Sequence, residues 1–340
     1  MARAKKVSMQ DIADKLNISK NAVSLALMDK KGVSEEMRHR IIQTAKELGY
    51  GPYGKKQPEH PNLLVVVPDR ITRYDDNDHF HFYHDMIWGL ESSIRRKGYN
   101  AIIVRVDEAM EKNLVLPGVF EDISYAGIIL FGIMDKPYAE RIWKLDTPLV
   151  MLDSYYRDLP CPAVTSANIE GGYEAVHYLI QCGHSRIGFI GPGNLTTSHE
   201  ERGYGFWRAM KNSGLAVNPS WCLTESEGFE ATRDEIARFL DRQEALPSAF
   251  FCGNDRIALL LGELLQERGI QVPGDVSIMG FDDLNMSEVA QPPLTTMRVD
   301  KQGMCDSAVD LLMSELSGTR HAIRWGIQPK LIERHTVSKL

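Results

Sequence analysis

The sequence predicts two bodies of different class. Residues 1–50 read as a small all-α helix-turn-helix headpiece. Residues 63–340 read as an α/β core of two parallel-sheet lobes, and 51–62 as a Pro/Gly-rich linker. Three observations carry this. Helix caps and apolar stripes recur three times in the first fifty residues. Short apolar runs then alternate with helical patterns to the end, as parallel sheets require. Charge divides at the same place: residues 1–60 carry 12 Lys and Arg against 7 Asp and Glu, the remaining 280 residues 27 against 39. A basic head on an acidic body suits a small module for a polyanion.

Each headpiece helix has its own start signal. Ser8-Met9-Gln10-Asp11 sets a hydroxyl at an N-cap with an acid three residues on, and Ile12, Ala13 and Leu16 form the stripe behind it. Asn17-Ile18 makes a short turn, and Ser19 caps the next helix, ISKNAVSLALM. Its inward face is read as Val23 and Leu27. Lys20, Asn21, Ser24, Leu25 and Met28 point outward. Ser34 caps a third helix, with Glu35 and Glu36 favourable to its dipole and Met37, Ile41, Ala45 and Leu48 as its stripe. Three short helices, the first two joined tightly, describe a helix-turn-helix unit. In that geometry the second helix lies in the major groove and its N-terminal residues reach base edges.

In the body, LLVVV, AIIVRV, GIILFG, PLVMLD, RIGFIG, SAFFCG and VSIMGF are strand-sized. They alternate with amphipathic segments such as NIEGGYEAVHYLIQCGH and NDRIALLLGELLQERG. So many elements imply two lobes, drawn here as about 63–166 plus 294–319 and about 167–293 plus 320–340. Ligands in such sheets gather at the carboxyl ends of strands. Those ends hold Asp153, Asn254-Asp255 and Asp282-Asp283, with Arg202 early in a helix. Carboxylates, an amide and a guanidinium can grip vicinal hydroxyls. Helix capping explains the same residues equally well on the sequence alone.

The bulk numbers exclude several classes. The chain has 340 residues, 43% hydrophobic and 25% charged, with no apolar run long enough to span a membrane. The basic N-terminus lacks the apolar core of a signal peptide, so a cytoplasmic protein is expected. Five scattered cysteines form no CxxC pair, which argues against a disulfide framework and a zinc site. His79, His81 and His84 have no evident acid or cysteine partner for a metal. No GxSxG, Walker loop or HExxH occurs, so no enzyme activity and no cofactor are expected.

The stretch VSMQDIADKLNISKNAVSLALMDKKGVSEEMRHRIIQTAKELGYGP resembles the headpiece of the lactose repressor family of bacterial transcription regulators. The body matches the same family in order through GHSRIGFIG, E-R-x-x-G-F, G-N-D-x-x-A, V-P-x-D-V-S-I-M-G-F-D-D and P-P-L-T-T. The resemblance implies a periplasmic-binding-protein-like core, a DNA-binding regulator and a homodimer on a two-fold symmetric operator. It implies a small-molecule effector, a sugar first of all, at Asp153, Arg202, Asn254 and Asp282. Asp255 and Asp283 read as structural partners. Phe80 and Phe82 are cleft candidates because aromatic faces stack on sugars. Ser8, Ser19, Lys20, Asn21, Ser24, Leu25 and Met28 are the DNA-contact candidates.

The chain departs from the family in three places. Many members have Arg where this chain has Leu25, and Asn where it has Met28. The usual hinge helix, with its minor-groove leucine wedge, is replaced by GPYGKKQPEHPN, in which Pro and Gly oppose a helix. No leucine heptads follow HAIRWGIQPKLIERHTV, so a coiled-coil tetramer tail is not expected. The alternative is a sugar-binding protein of a transport system, which would have no use for the headpiece.

Overall fold

The computed structural model describes residues 7–27, 30, 32–48, 50, 61–72, 77–228, 231–318 and 322–340, with side chains at 46 and 77–81 left aside. It divides into two compact units, Met1–His60 and Pro61–Leu340. Residues 51–60, most of the expected linker, lie outside the described residues, as does Met28.

The first unit is three helices: α1 (Met9–Leu16), α2 (Lys20–Leu27) and α3 (Glu35–Glu47). Ile12, Ala13, Val23, Ala26, Ile41 and Ala45 form its core. The turn between α1 and α2 rests on Asn17, whose φ of 53° places it in the left-handed region that Asn tolerates.

The second unit alternates strands and helices. The first sheet and its layers comprise β1 (Asn62–Pro68), α4 (Asn77–Arg96), β2 (Asn100–Val106), α5 (Glu108–Asn113), α6 (Val119–Asp122), β3 (Gly127–Phe131), α7 (Lys136–Trp143), β4 (Leu149–Leu152) and β5 (Ala163–Ser166). The second comprises α8 (Asn168–Gln181), β6 (Ile187–Ile190), α9 (Thr197–Asn212), β7 (Cys222–Leu223), α10 (Thr232–Asp241), β8 (Ala249–Cys252), α11 (Asp255–Glu267), β9 (Ser277–Asp282), α12 (Asn285–Val289) and β10 (Thr295–Arg298). The chain then returns to the first lobe with α13 (Lys301–Leu316) and β11 (Arg324–Ile327), and ends in the second with β12 (Lys330–Ile332). Strand orders are β11-β5-β4-β3-β1-β2 and β12-β10-β9-β8-β6-β7. Every pairing is parallel except β10 with β12. Central strands are buried on both faces, which explains their unbroken apolar runs.

The expected lobe boundaries need correction at two strands. Thr295–Arg298 pairs with Met279–Asp282 and so belongs to the second sheet, while Arg324–Ile327 pairs with Ala163–Ser166 in the first. The reason lies in side-chain hydrogen bonds. The Thr296 hydroxyl donates to Asp255, and Thr336 Oγ1 accepts from Thr295 N–H at 2.9 Å, fixing β10 in the second lobe. Asp255 is fully buried and also accepts from Leu284 N–H (2.8 Å) and Ser287 Oγ (2.5 Å). It is a staple between β9, β10 and α12.

α8 and α9 meet glycine to glycine. A Cβ at Gly172 would lie 2.5 Å from Arg202 O, and one at Gly205 only 2.3 Å from Ile169 O. This closeness brings the N-terminus of α8 alongside the second turn of α9. Gly205→Ala is expected to destabilise the protein by about 1–3 kcal/mol, because backbone must move rather than a flexible side chain. The measurement is a urea midpoint; an unchanged midpoint would mean that the helices can part at no cost.

Candidate DNA-binding surface and ligand cleft

Ser8 and Ser19 act first as caps. Ser8 and Asp11 form a reciprocal capping box, with Asp11 N–H to Ser8 Oγ at 3.4 Å and Ser8 N–H to Asp11 Oδ2 at 2.6 Å. Ser19 Oγ accepts from Ala22 N–H at 3.1 Å. Both residues are exposed, as are Lys20 and Asn21, while Ser24 is half-buried. Ser19, Lys20 and Asn21 line the start of α2, where a groove-bound helix presents its readers, while Ser8 stands at the start of α1. Inward, Val23 and Ala26 are the buried pair and Leu27 is half-buried, so the inner face is rotated slightly from the expected Val23–Leu27 line. Leu25 is half-buried near Gly32, where an added Cβ would sit 3.2 Å from Leu25 Cδ1.

The sequence reading missed Arg38. From α3 it donates to Ala26 O (3.1 Å) and Lys30 O (2.9 Å), satisfying carbonyls at the end of α2 with a cation that suits the helix dipole. Its guanidinium thereby sets the pose of the second helix from behind.

In the second unit, Arg202 organises the cleft. It is 4% exposed. Its Nε donates to Asn168 Oδ1 (3.0 Å), Nη1 to Gly253 O (2.6 Å), and Nη2 lies 3.0 Å from Asp282 Oδ1. The guanidinium also lies 3.8 Å from the centre of the Phe281 ring. Asn168 in turn donates to Glu201 at 3.2 Å. Asn168 and Phe281 went unmarked in the sequence, since neither type signals a ligand on its own.

Across the lobes, Asp153 ends β4 with a φ of 66°, and Asp282 and Asp283 end β9 at 115° and 58°. Non-glycine residues in this region are strained and persist only when held. Arg298 (2.5 Å) and Arg334 (2.7 Å) hold Asp283. Burial and the nearby Asp282 charge raise the Asp153 carboxyl to about 7, opposed by Arg202 and by a hydrogen bond from Tyr83. Burial, Asp153 and Asp282 push the Tyr83 phenol far above its usual range, so it remains a donor. Burial, with the Asp282 charge behind it, also lifts Asp255 to about 7.

Asn254 performs the bland role and stands beside the other. Its Oδ1 caps α11 by accepting from Ile257 N–H at 2.9 Å, next to the Gly253 carbonyl that anchors Arg202. Phe82, expected at the cleft, is 6% exposed and packs in the core with Met86 and Leu90. The cleft takes Tyr83, one residue further along α4, because a helix turns adjacent residues about 100° apart. The Phe80 side chain lies outside the described residues, as do those of His79 and His81. The described residues hold no helix long and apolar enough to cross a membrane.

A three-helix headpiece followed in the chain by a two-lobed α/β body is the architecture of a DNA-binding transcription regulator. A family model for bacterial regulatory proteins of the lacI family matches residues 8–53, and a periplasmic binding protein-like domain matches 176–337. The HTH-type transcriptional repressor CytR of Escherichia coli K12 is 30% identical over 318 residues, covering 92% of this chain and 90% of its own. The repressor PurR of Vibrio campbellii is 28% identical over 340 residues, covering 98% and 99%. A solved CelR–cellobiose complex aligns with a TM-score of 0.70 at 23% identity, over 97% of this chain and 99% of that one. The lac repressor dimer bound to operator and an anti-inducer aligns with a TM-score of 0.68 at 20% identity, over 98% and 100%. The chain belongs to the lacI family of bacterial transcription regulators. Its lack of catalytic motifs agrees with relatives that are repressors rather than enzymes.

The Asp153 carboxyl gives a pH prediction. Its folded pKa of about 7 exceeds the ordinary 3.8, so between those values the folded state keeps a proton that the unfolded chain has lost. Stability therefore falls as pH rises through this window, and the penalty is complete above it. Asp153→Asn, which never ionises, is expected to stabilise the protein by up to about 4 kcal/mol at about pH 8 and far less at about pH 5. Thermal melts at both pH values test this; a gain independent of pH would exclude the carboxylate as its source.

Proposed function

We propose that the chain is a cytoplasmic transcriptional repressor that binds a two-fold symmetric operator as a homodimer and is tuned by a neutral polyhydroxylated effector, a sugar, held between the lobes. The observation that carries the effector reading is the charge state of the cleft. Asp282 already neutralises Arg202, and Asp153 faces them with an elevated pKa. An anionic ligand would meet an excess carboxylate, whereas sugar hydroxyls would donate to Asp153 and Asp282 and accept from Arg202 and the Asn254 amide. Lobe closure on the ligand would bring Asp153 of the first lobe toward Arg202 and Asp282 of the second, and so alter the pairing of two subunits. The exposed Lys20 and Asn21 at the start of α2 support base readout. A transport role leaves the headpiece without a task.

Two experiments test the reading. Duplexes selected from a random pool at fixed salt are expected to converge on an inverted repeat. Leu25 offers no bidentate donor, so the half-site should lack the guanine an Arg reader demands. Leu25→Arg should gain that preference by about 1–3 kcal/mol. A wild-type site already fixed at guanine there would contradict this assignment. For the cleft, a thermal-shift panel should show stabilisation by a neutral sugar and none by its phosphate ester. Arg202→Met should lose that shift by roughly tenfold or more in affinity, as removal of a charge-assisted bond requires. Stabilisation by the ester alone would overturn the neutral-effector reading.

A further inference from the structure

A second cavity of about 700 Å³ lies at the junction of the lobes, lined by residues other than Asp153, Arg202, Asn254 and Asp282. Its walls come from both lobes: Tyr155, Leu159 and Arg324 from the first, Ile169 and the α9 residues Glu201 and Tyr204 from the second. The tyrosine hydroxyls are already committed. Tyr155 donates to Glu201, Tyr156 to Met134 O, and Tyr204 to Glu200 at 2.5 Å. What these side chains offer a ligand is ring surface.

The charged groups differ in availability. Arg157 closes its fork on Glu200 at 2.8 and 3.4 Å. Glu201 is buried and already accepts from Tyr155 and from Asn168 at 3.2 Å. Arg324 is different. Its side chain is 49% exposed, and its contacts among the described residues are Glu201 at a long 3.5 Å and the Tyr155 ring, 4.1 Å from the guanidinium carbon. A guanidinium stacked on a ring, with most N–H groups uncommitted among the described residues, is prepared for a planar carboxylate. When Arg324 turns toward a ligand, Glu201 keeps two neutral donors, Tyr155 and Asn168, but gives up the long Arg324 ion pair, a cost that the ligand contact must offset.

We propose that this cavity is a second binding site, for a small aromatic carboxylate, with Arg324 as the anion anchor and Leu159, Ile169 and the tyrosine rings around the apolar body. The ligand would bridge the lobes and so bias the angle between them. It would also bear on the cleft, because Asn168 joins Glu201 on this wall to Arg202 on the other. The cavity and its arginine stand whether or not the cleft binds a sugar.

The test is titration of the full-length protein with benzoate and salicylate, followed by ligand-observed NMR and calorimetry, with uncharged benzamide and cationic benzylamine as controls. Saturable binding of a carboxylate is expected, with benzamide and benzylamine roughly tenfold weaker or more and an equal loss in Arg324→Gln. Leu159→Trp, which fills the cavity, should abolish binding and serves in place of Arg324→Gln if that variant fails to fold. No saturable carboxylate binding, equal binding of benzamide, or affinity unchanged in the folded variants would each overturn the proposal.

Discussion

The second unit depends on one buried ion pair, Arg202 with Asp282. Two charges taken out of water cost several kcal/mol each, and mutual attraction offsets this only when the remaining donors and acceptors are also satisfied. Here Asn168 and the Gly253 carbonyl supply that satisfaction, and Phe281 covers the guanidinium face. Four elements of the second lobe, α8, α9, β8 and β9, therefore converge on one side chain. Their convergence requires the glycine contact between α8 and α9, without which Asn168 would stand too far from Arg202.

The same pair sets the electrostatics around it. Burial first, and then the nearby Asp282 charge, raise the Asp153 carboxyl to about 7, against the opposing pull of Arg202 and the Tyr83 hydrogen bond. Stability is given up at this point, and the left-handed backbone at Asp153 and Asp282 adds to the cost. The Asn168 link extends the influence of that pair to the cavity beneath Arg324.

The headpiece obeys a separate constraint. With so small a core, it owes the orientation of α2 to caps and to Arg38 as much as to apolar burial. The residues that face outward are then free to be chosen for recognition.

The sequence by itself determined the two fold classes, the three headpiece helices with their caps, and the candidate polar residues at strand ends. Each of these follows from local chemistry: apolar period, a hydroxyl before a helix, an acid after a strand. The family resemblance, not local chemistry, separated Asp255 and Asp283 as structural partners from their neighbours. Tertiary structure alone decided which sheet received Thr295–Arg298 and Arg324–Ile327, since strand propensity does not name a partner. It set Tyr83 against Asp153 and packed the neighbouring Phe82 ring into the core, one residue apart on α4. It also gave Asn168, Glu201, Phe281 and Arg38 their roles. These are ordinary residues whose meaning comes from groups far away in the chain, brought within hydrogen-bonding distance only when the helices and sheets pack.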